Sequence, residues 1–95
     1  MLSLFKLRKQ IDRADDRIIA LLNHRLQLAE KVGYLKARDG DKVYNRQREQ
    51  TLLARLSSRQ GGPLSSTELR AIYQHIFRIS RAHQKRVFQR TLRKN

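Results

Sequence analysis

"LFKLRKQIDRADDRIIALLNHRLQLAEKVGYLKA", residues 4–37, decides the fold. Leu4, Leu7, Ile11, Ala14, Ile18 and Leu21 are separated by steps of three and four; after a gap of seven, Leu28, Val32 and Leu35 resume them. That is a heptad seam, and it predicts one helix from about Ser3 to about Ala37. Ser3 can cap its start, Gly33 is a mild interruption, and the turn-forming "RDGDK" (38–42) ends it. A helix of ~35 residues is ~52 Å long. A compact domain of this chain's 95 residues has a radius of gyration of only ~12 Å. The helix overshoots any globule its own chain could form, so a second long helix must cover the seam. The expectation is an intertwined homodimer whose first helices pair antiparallel.

The rest of the chain supplies two more helices and no alternating β-branched runs, so the class is all-α, with one domain over 1–95. The second helix spans about 45–59, with Asn45 as its cap, Leu52, Leu53 and Leu56 as its apolar side, and "QGGP" (60–63) as its end. The third spans about 65–92 and opens on "SSTE", where Ser65 and Glu68 have capping-box spacing. Its stripe is Leu69, Ile72, Tyr73, Ile76 and Phe77; Ser80 and Gln84 then stand where apolar residues are due, before Val87. From Arg78 onward there are seven Lys/Arg and no acid, which predicts a solvated, frayed tail.

The net charge of +14 points to an anionic partner, either nucleic acid or a small polyanionic metabolite. No cysteine is present, so disulfides and thiolate metal sites are excluded. Apolar runs are too short for a membrane span, and the N-terminus lacks the apolar region of a signal peptide; a cytoplasmic protein is expected. His24, His75 and His83 show no metal spacing, Asp12, Asp15 and Asp16 read as a solvated face, and no Ser/His/Asp triad can be argued. No cofactor or metal is called for.

Polar residues on apolar stripes carry the chemistry. Arg25 sits inside the gap of the seam, where an unpaired guanidinium would be costly. Lys36 lies eleven residues on, three turns away and therefore on the same face. Arg46, Arg48 and Glu49 crowd the first turn of the second helix, whose dipole repels cations. Each has a bland reading: register-setting for Arg25, dipole compensation for Lys36 and Glu49, satisfied core polars for Ser80 and Gln84. Together, Arg25, Lys36 and Arg48 would converge on an anion with more than one carboxylate, a group arginine binds through two hydrogen bonds. Glu49, kept ionised by these cations, would accept a hydrogen bond from a hydroxyl.

In the order "LFKLRKQID", "IIALLNHRLQLAEKVGYLKA", "VYNRQREQTLL" and "ISRAHQ", the chain resembles the all-helical (AroQ-class) chorismate mutases, above all the mutase domain of bacterial bifunctional P-proteins. The resemblance implies that Arg8, Arg25 and Arg48 bind the two carboxylates of chorismate. Lys36 would contact a carboxylate and the ether oxygen, and Gln84 would be the second donor to that oxygen. Glu49 would hold the ring hydroxyl and Ser80 a carboxylate. Asn45 stands where similar members carry aspartate, leaving its backbone N–H to serve, and Arg81 stands where an apolar wall is usual. Arg8 precedes Arg25 by 17 residues, ~25 Å along the helix, so it would serve the partner subunit's pocket. The implied reaction is the rearrangement of chorismate to prephenate in aromatic amino acid biosynthesis, without cofactor. The alternative is a basic nucleic-acid-binding helical dimer, which accounts for the charge but not for Arg25, Ser80 and Gln84; a purely structural dimerisation module accounts for the heptads alone.

Overall fold

A computed structural model describes residues 2–59 and 61–94 of the chain. Met1, Asn95 and Gln60, the first residue of the "QGGP" turn, lie outside the described residues. Three helices follow in order, α1 (Leu4–Asp39), α2 (Arg46–Arg59) and α3 (Ser66–Lys94), and no strand occurs among the described residues.

Local chemistry sets their limits. Ser3 Oγ accepts from the Lys6 N–H at 3.1 Å, satisfying one of the first-turn donors of α1. At the other end Gly40 adopts φ 70°, a left-handed conformation that glycine enters without a Cβ penalty. Its N–H and that of Asp41 donate to Ala37 O and Lys36 O at 3.4 and 2.8 Å, closing the helix two residues beyond the predicted end. Asn45 Oδ1 accepts from the Arg48 N–H at 2.9 Å and starts α2. Ser65 and Glu68 form the reciprocal capping box of α3, at 3.1 Å from the Glu68 N–H to Ser65 Oγ and 2.9 Å from the Ser65 N–H to Glu68 Oε1. The backbone N–H and then the hydroxyl of Ser65 hold the exposed Glu68 carboxyl below its ordinary pKa of 4.5.

The C-terminal tail is not frayed. α3 stays helical to Lys94: Val87, Phe88 and Thr91 are half-buried, and three turns before the end His83 Nδ1 lies 3.2 Å from Glu30 Oε2 of α1. Arg93 and Lys94 also suit the negative end of the helix dipole.

α3 packs against both other helices, whereas α1 and α2 do not pack on each other. Leu52, Leu53 and Phe77 form the core between α2 and α3, with Leu56 and Tyr73 against them and the Tyr73 and Phe77 rings edge to face at 5.8 Å. α1 turns a different face to α3 from its heptad seam. Ala29, Gly33 and Ala37, one turn apart, are its buried residues. Gly33 is therefore no interruption: a Cβ there would lie 2.6 Å from Gln84 O and 2.9 Å from Gln84 Cα. Only glycine lets the two backbones come this close.

The heptad seam stays open. Every residue from Leu2 to Leu21 is exposed, with Ile11 at 58% and Leu21 at 66% of full exposure. The molecule is accordingly elongated, 61 × 26 × 15 Å, with a radius of gyration of 17.1 Å against the ~12 Å of a compact chain this long.

Candidate active site

The C-terminal half of α1, the start of α2 and the middle of α3 enclose a cavity of about 280 Å³. Its floor is apolar, with Ala29, Leu52 and Phe77 buried. Its functional lining comes from all three helices: Arg25 and Lys36 from α1, Arg48 and Glu49 from α2, Ser80, Arg81 and Gln84 from α3, with Asn45 and Val43 from the α1–α2 loop. Seven of the eight residues singled out from the sequence thus line one cavity. Arg8 does not; it is exposed on α1, 17 residues before Arg25.

Arg25 and Lys36 are held by neighbouring groups. Arg25 is half-buried, its guanidinium carbon 5.8 Å from the Phe77 ring centroid, a cation–π distance that ties it to the cavity floor. Lys36 Nζ donates to Val43 O at 2.8 Å, leaving two of its three hydrogens for the cavity. That bond also fastens the loop to α1. Arg48 is exposed at the rim, and its backbone N–H is committed to Asn45. Asn45 Oδ1 is thus spent on capping α2 and its carbonyl on the Glu49 N–H, which leaves its amide Nδ2 and backbone N–H for any ligand.

Ser80 is buried at 5% exposure, a polar residue on a stripe of apolar ones. Gln84 Nε2 approaches Ser80 Oγ at 3.5 Å, the weak limit of a hydrogen bond, and its buried Oε1 has no partner among the described residues. An unmet buried polar group costs about 1–3 kcal/mol. A nearly uncommitted amide beside a buried hydroxyl suits a surface that receives a polar ligand.

Sequence reasoning missed one residue. Arg81 reads from the sequence as an unusual wall position, but its Nη1 donates to both Glu49 oxygens, at 2.7 and 2.6 Å. Its guanidinium carbon also lies 4.9 Å from the Tyr44 ring centroid. The available signal was spacing: Arg81 follows Ser80 directly and precedes Gln84 by three, on the same side of α3.

A family model described as chorismate mutase type II matches residues 7–85, which include all of these residues. The chain belongs to that family. Within it, the bifunctional chorismate mutase/prephenate dehydratase of Aquifex aeolicus (strain VF5) is 32% identical over 91 residues, 92% of this chain and 25% of that protein. The chain thus spans about a quarter of the length of the curated relative it matches. Among solved structures, the chorismate mutase from Helicobacter pylori in complex with prephenate superposes with a TM-score of 0.83 at 35% identity, covering 90% of this chain and 93% of that one. The chorismate mutase (form II) from Thermus thermophilus gives a TM-score of 0.86 at 31% identity, with coverages of 87% and 94%. The chorismate mutase fold therefore accounts for all three helices.

Proposed function

We propose that this chain catalyses the Claisen rearrangement of chorismate to prephenate, in two pockets of an intertwined homodimer. The convergence of Arg25, Lys36 and Arg48 with Glu49, Ser80 and Gln84 on one cavity, in a chain of the chorismate mutase family, carries the reading. The substrate is a dianion, and the cavity is lined by four cations and one carboxylate.

The reaction breaks the ether C–O bond of chorismate and forms a C–C bond within the same molecule, so no nucleophile, proton donor or cofactor enters. Two effects remain for the protein to supply. Arg25 and Arg48, with Arg8 of the second subunit, would clamp the two carboxylates, one of which Ser80 also meets. The flexible dianion is thereby held in a chair-like reactive conformer. Lys36 and Gln84 would donate to the ether oxygen as negative charge grows on it. Only this second effect is stronger in the transition state than in the ground state, so it acts on turnover. Glu49 would accept the hydrogen bond of the ring hydroxyl.

The dimer rests on the open seam of α1. Its apolar residues are exposed over five turns, and a second α1 lying antiparallel would cover them while bringing Arg8 to the other pocket. The proposal also sets the reaction in the cytoplasm and in aromatic amino acid biosynthesis. No helix among the described residues is long and apolar enough to cross a membrane. The nucleic-acid reading draws no support: Arg25, Lys36 and Arg48 line a concave cavity rather than a continuous outer stripe. Loss of chorismate absorbance on adding the purified chain tests the proposal. Formation of prephenate is the expected result, and an inert folded chain would reject it.

A further inference from the structure

Among the described residues Glu49 is the only acid lining the cavity, and both of its oxygens are engaged by Arg81 from another helix. Arg81 Nη1 occupies one lone-pair direction on each oxygen, which leaves acceptor capacity on both. The Arg81 side chain is 34% exposed and that of Glu49 20%, so the ion pair is largely withdrawn from solvent. Stacking on Tyr44 fixes the guanidinium in turn, which links α3, the α1–α2 loop and the first turn of α2 through one side chain. Without Arg81, Glu49 would sit among Arg25, Arg48 and its own helix N-terminus, with several rotamers open to it and more than one cation to satisfy it.

We propose that Arg81 is a positioning residue: braced on Tyr44, it holds the Glu49 carboxylate in the orientation that accepts the hydrogen bond of the substrate's ring hydroxyl. The inference rests on the mutase reading and names the residue that makes Glu49 selective. Arg81 acts through Glu49 and touches no reacting atom. Its role therefore exists only while residue 49 carries an acceptor for it to orient, and that sets the test.

Prephenate, which keeps the ring hydroxyl, serves as the calorimetric probe beside kcat and KM for chorismate. Arg81→Leu should weaken prephenate binding and lower kcat/KM about tenfold, the effect of losing one coupled polar interaction. Arg81→Lys should recover part of the loss. In a Glu49→Ala background, Arg81→Leu should cost nothing further. Tyr44→Leu, which keeps every charge, should give a smaller loss that also vanishes with Glu49→Ala, and it stands in if Arg81→Leu does not fold. Unchanged binding and turnover in Arg81→Leu would overturn the inference. So would an equal loss in both backgrounds, because Arg81 would then act on the dianion directly by its charge. A wild-type chain that neither converts chorismate nor binds prephenate rejects the mutase reading itself. Activity in the wild type with an indifferent Arg81 rejects only the positioning role.

Discussion

Lys36 divides its ammonium between two tasks. One hydrogen goes to Val43 O at 2.8 Å and holds the loop, and the others face the cavity. If those others meet the ether oxygen, Lys36→Ala should lower kcat ~10²- to 10³-fold, the scale for one oxyanion donor. Steady-state kinetics with circular dichroism as a fold control would check this. Arg48→Ala is expected to behave differently, raising KM more than it lowers kcat, because a rim carboxylate contact is made equally in ground and transition states. A drop for Lys36→Ala confined to KM would mean that it binds a carboxylate and nothing more.

Among the elements, the crossing of α1 and α3 governs the site most directly. Gly33 brings the α1 backbone against Gln84 itself, so the position of the proposed ether-oxygen donor depends on a missing side chain. Gly33→Ala gains ~1 kcal/mol of helix propensity. It meets a backbone contact 2.6 Å away, and overpacking costs ~1–3 kcal/mol. The expected net effect is a modest loss of Tm together with a larger loss of kcat, since α3 must shift at the turn that carries Gln84. Thermal melts and kinetics on the same preparation would show it; full kcat would mean that Gln84 tolerates the shift.

The start of α3 makes a separate, pH-dependent contribution. The Glu68 carboxyl is held below its ordinary value in the folded chain, so the unfolded chain binds the extra proton first as pH falls. Its stabilisation is complete above the unfolded value of about 4.5 and is lost as pH drops through the folded one. Glu68→Ala should therefore lower Tm at pH 7 and do so progressively less below pH 4.5. Melts across pH 2–7 would reveal a constant difference if the carboxylate charge plays no part.

At the scale of the whole molecule, the question is what covers α1. Every residue of its first five turns is exposed. Sedimentation should give twice the chain mass at micromolar concentration. The proposed shared site makes a sharper claim. Arg8 is ~25 Å from Arg25 along one helix, so Arg8→Ala should disable the partner's pocket and Arg25→Ala its own. In a mixed dimer both lesions fall in one pocket, and the other keeps a good Arg25 and a good Arg8. Mixing the two inactive variants under conditions of proven subunit exchange should restore up to one site per heterodimer. No return of activity would mean that Arg8 does not act across the interface.

The helices and their limits were legible in the sequence because their causes are local. Ser3, Asn45 and the Ser65–Glu68 box each act on a backbone group three residues away. Arg25, Ser80 and Gln84 were visible as polar residues standing where the helical period calls for apolar ones, and periodicity is also a short-range property. The tertiary structure decided what depends on how helices cross. Glu49 and Arg81 are 32 residues apart, and nothing in either neighbourhood says that the two turns will face each other. The need for Gly33 came from the backbone of α3, and the contact of His83 with Glu30 of α1 joins residues 53 apart. A single sequence records which face of a helix is apolar; the distance at which two faces meet, and the side chains that meeting pairs, follow only from packing them.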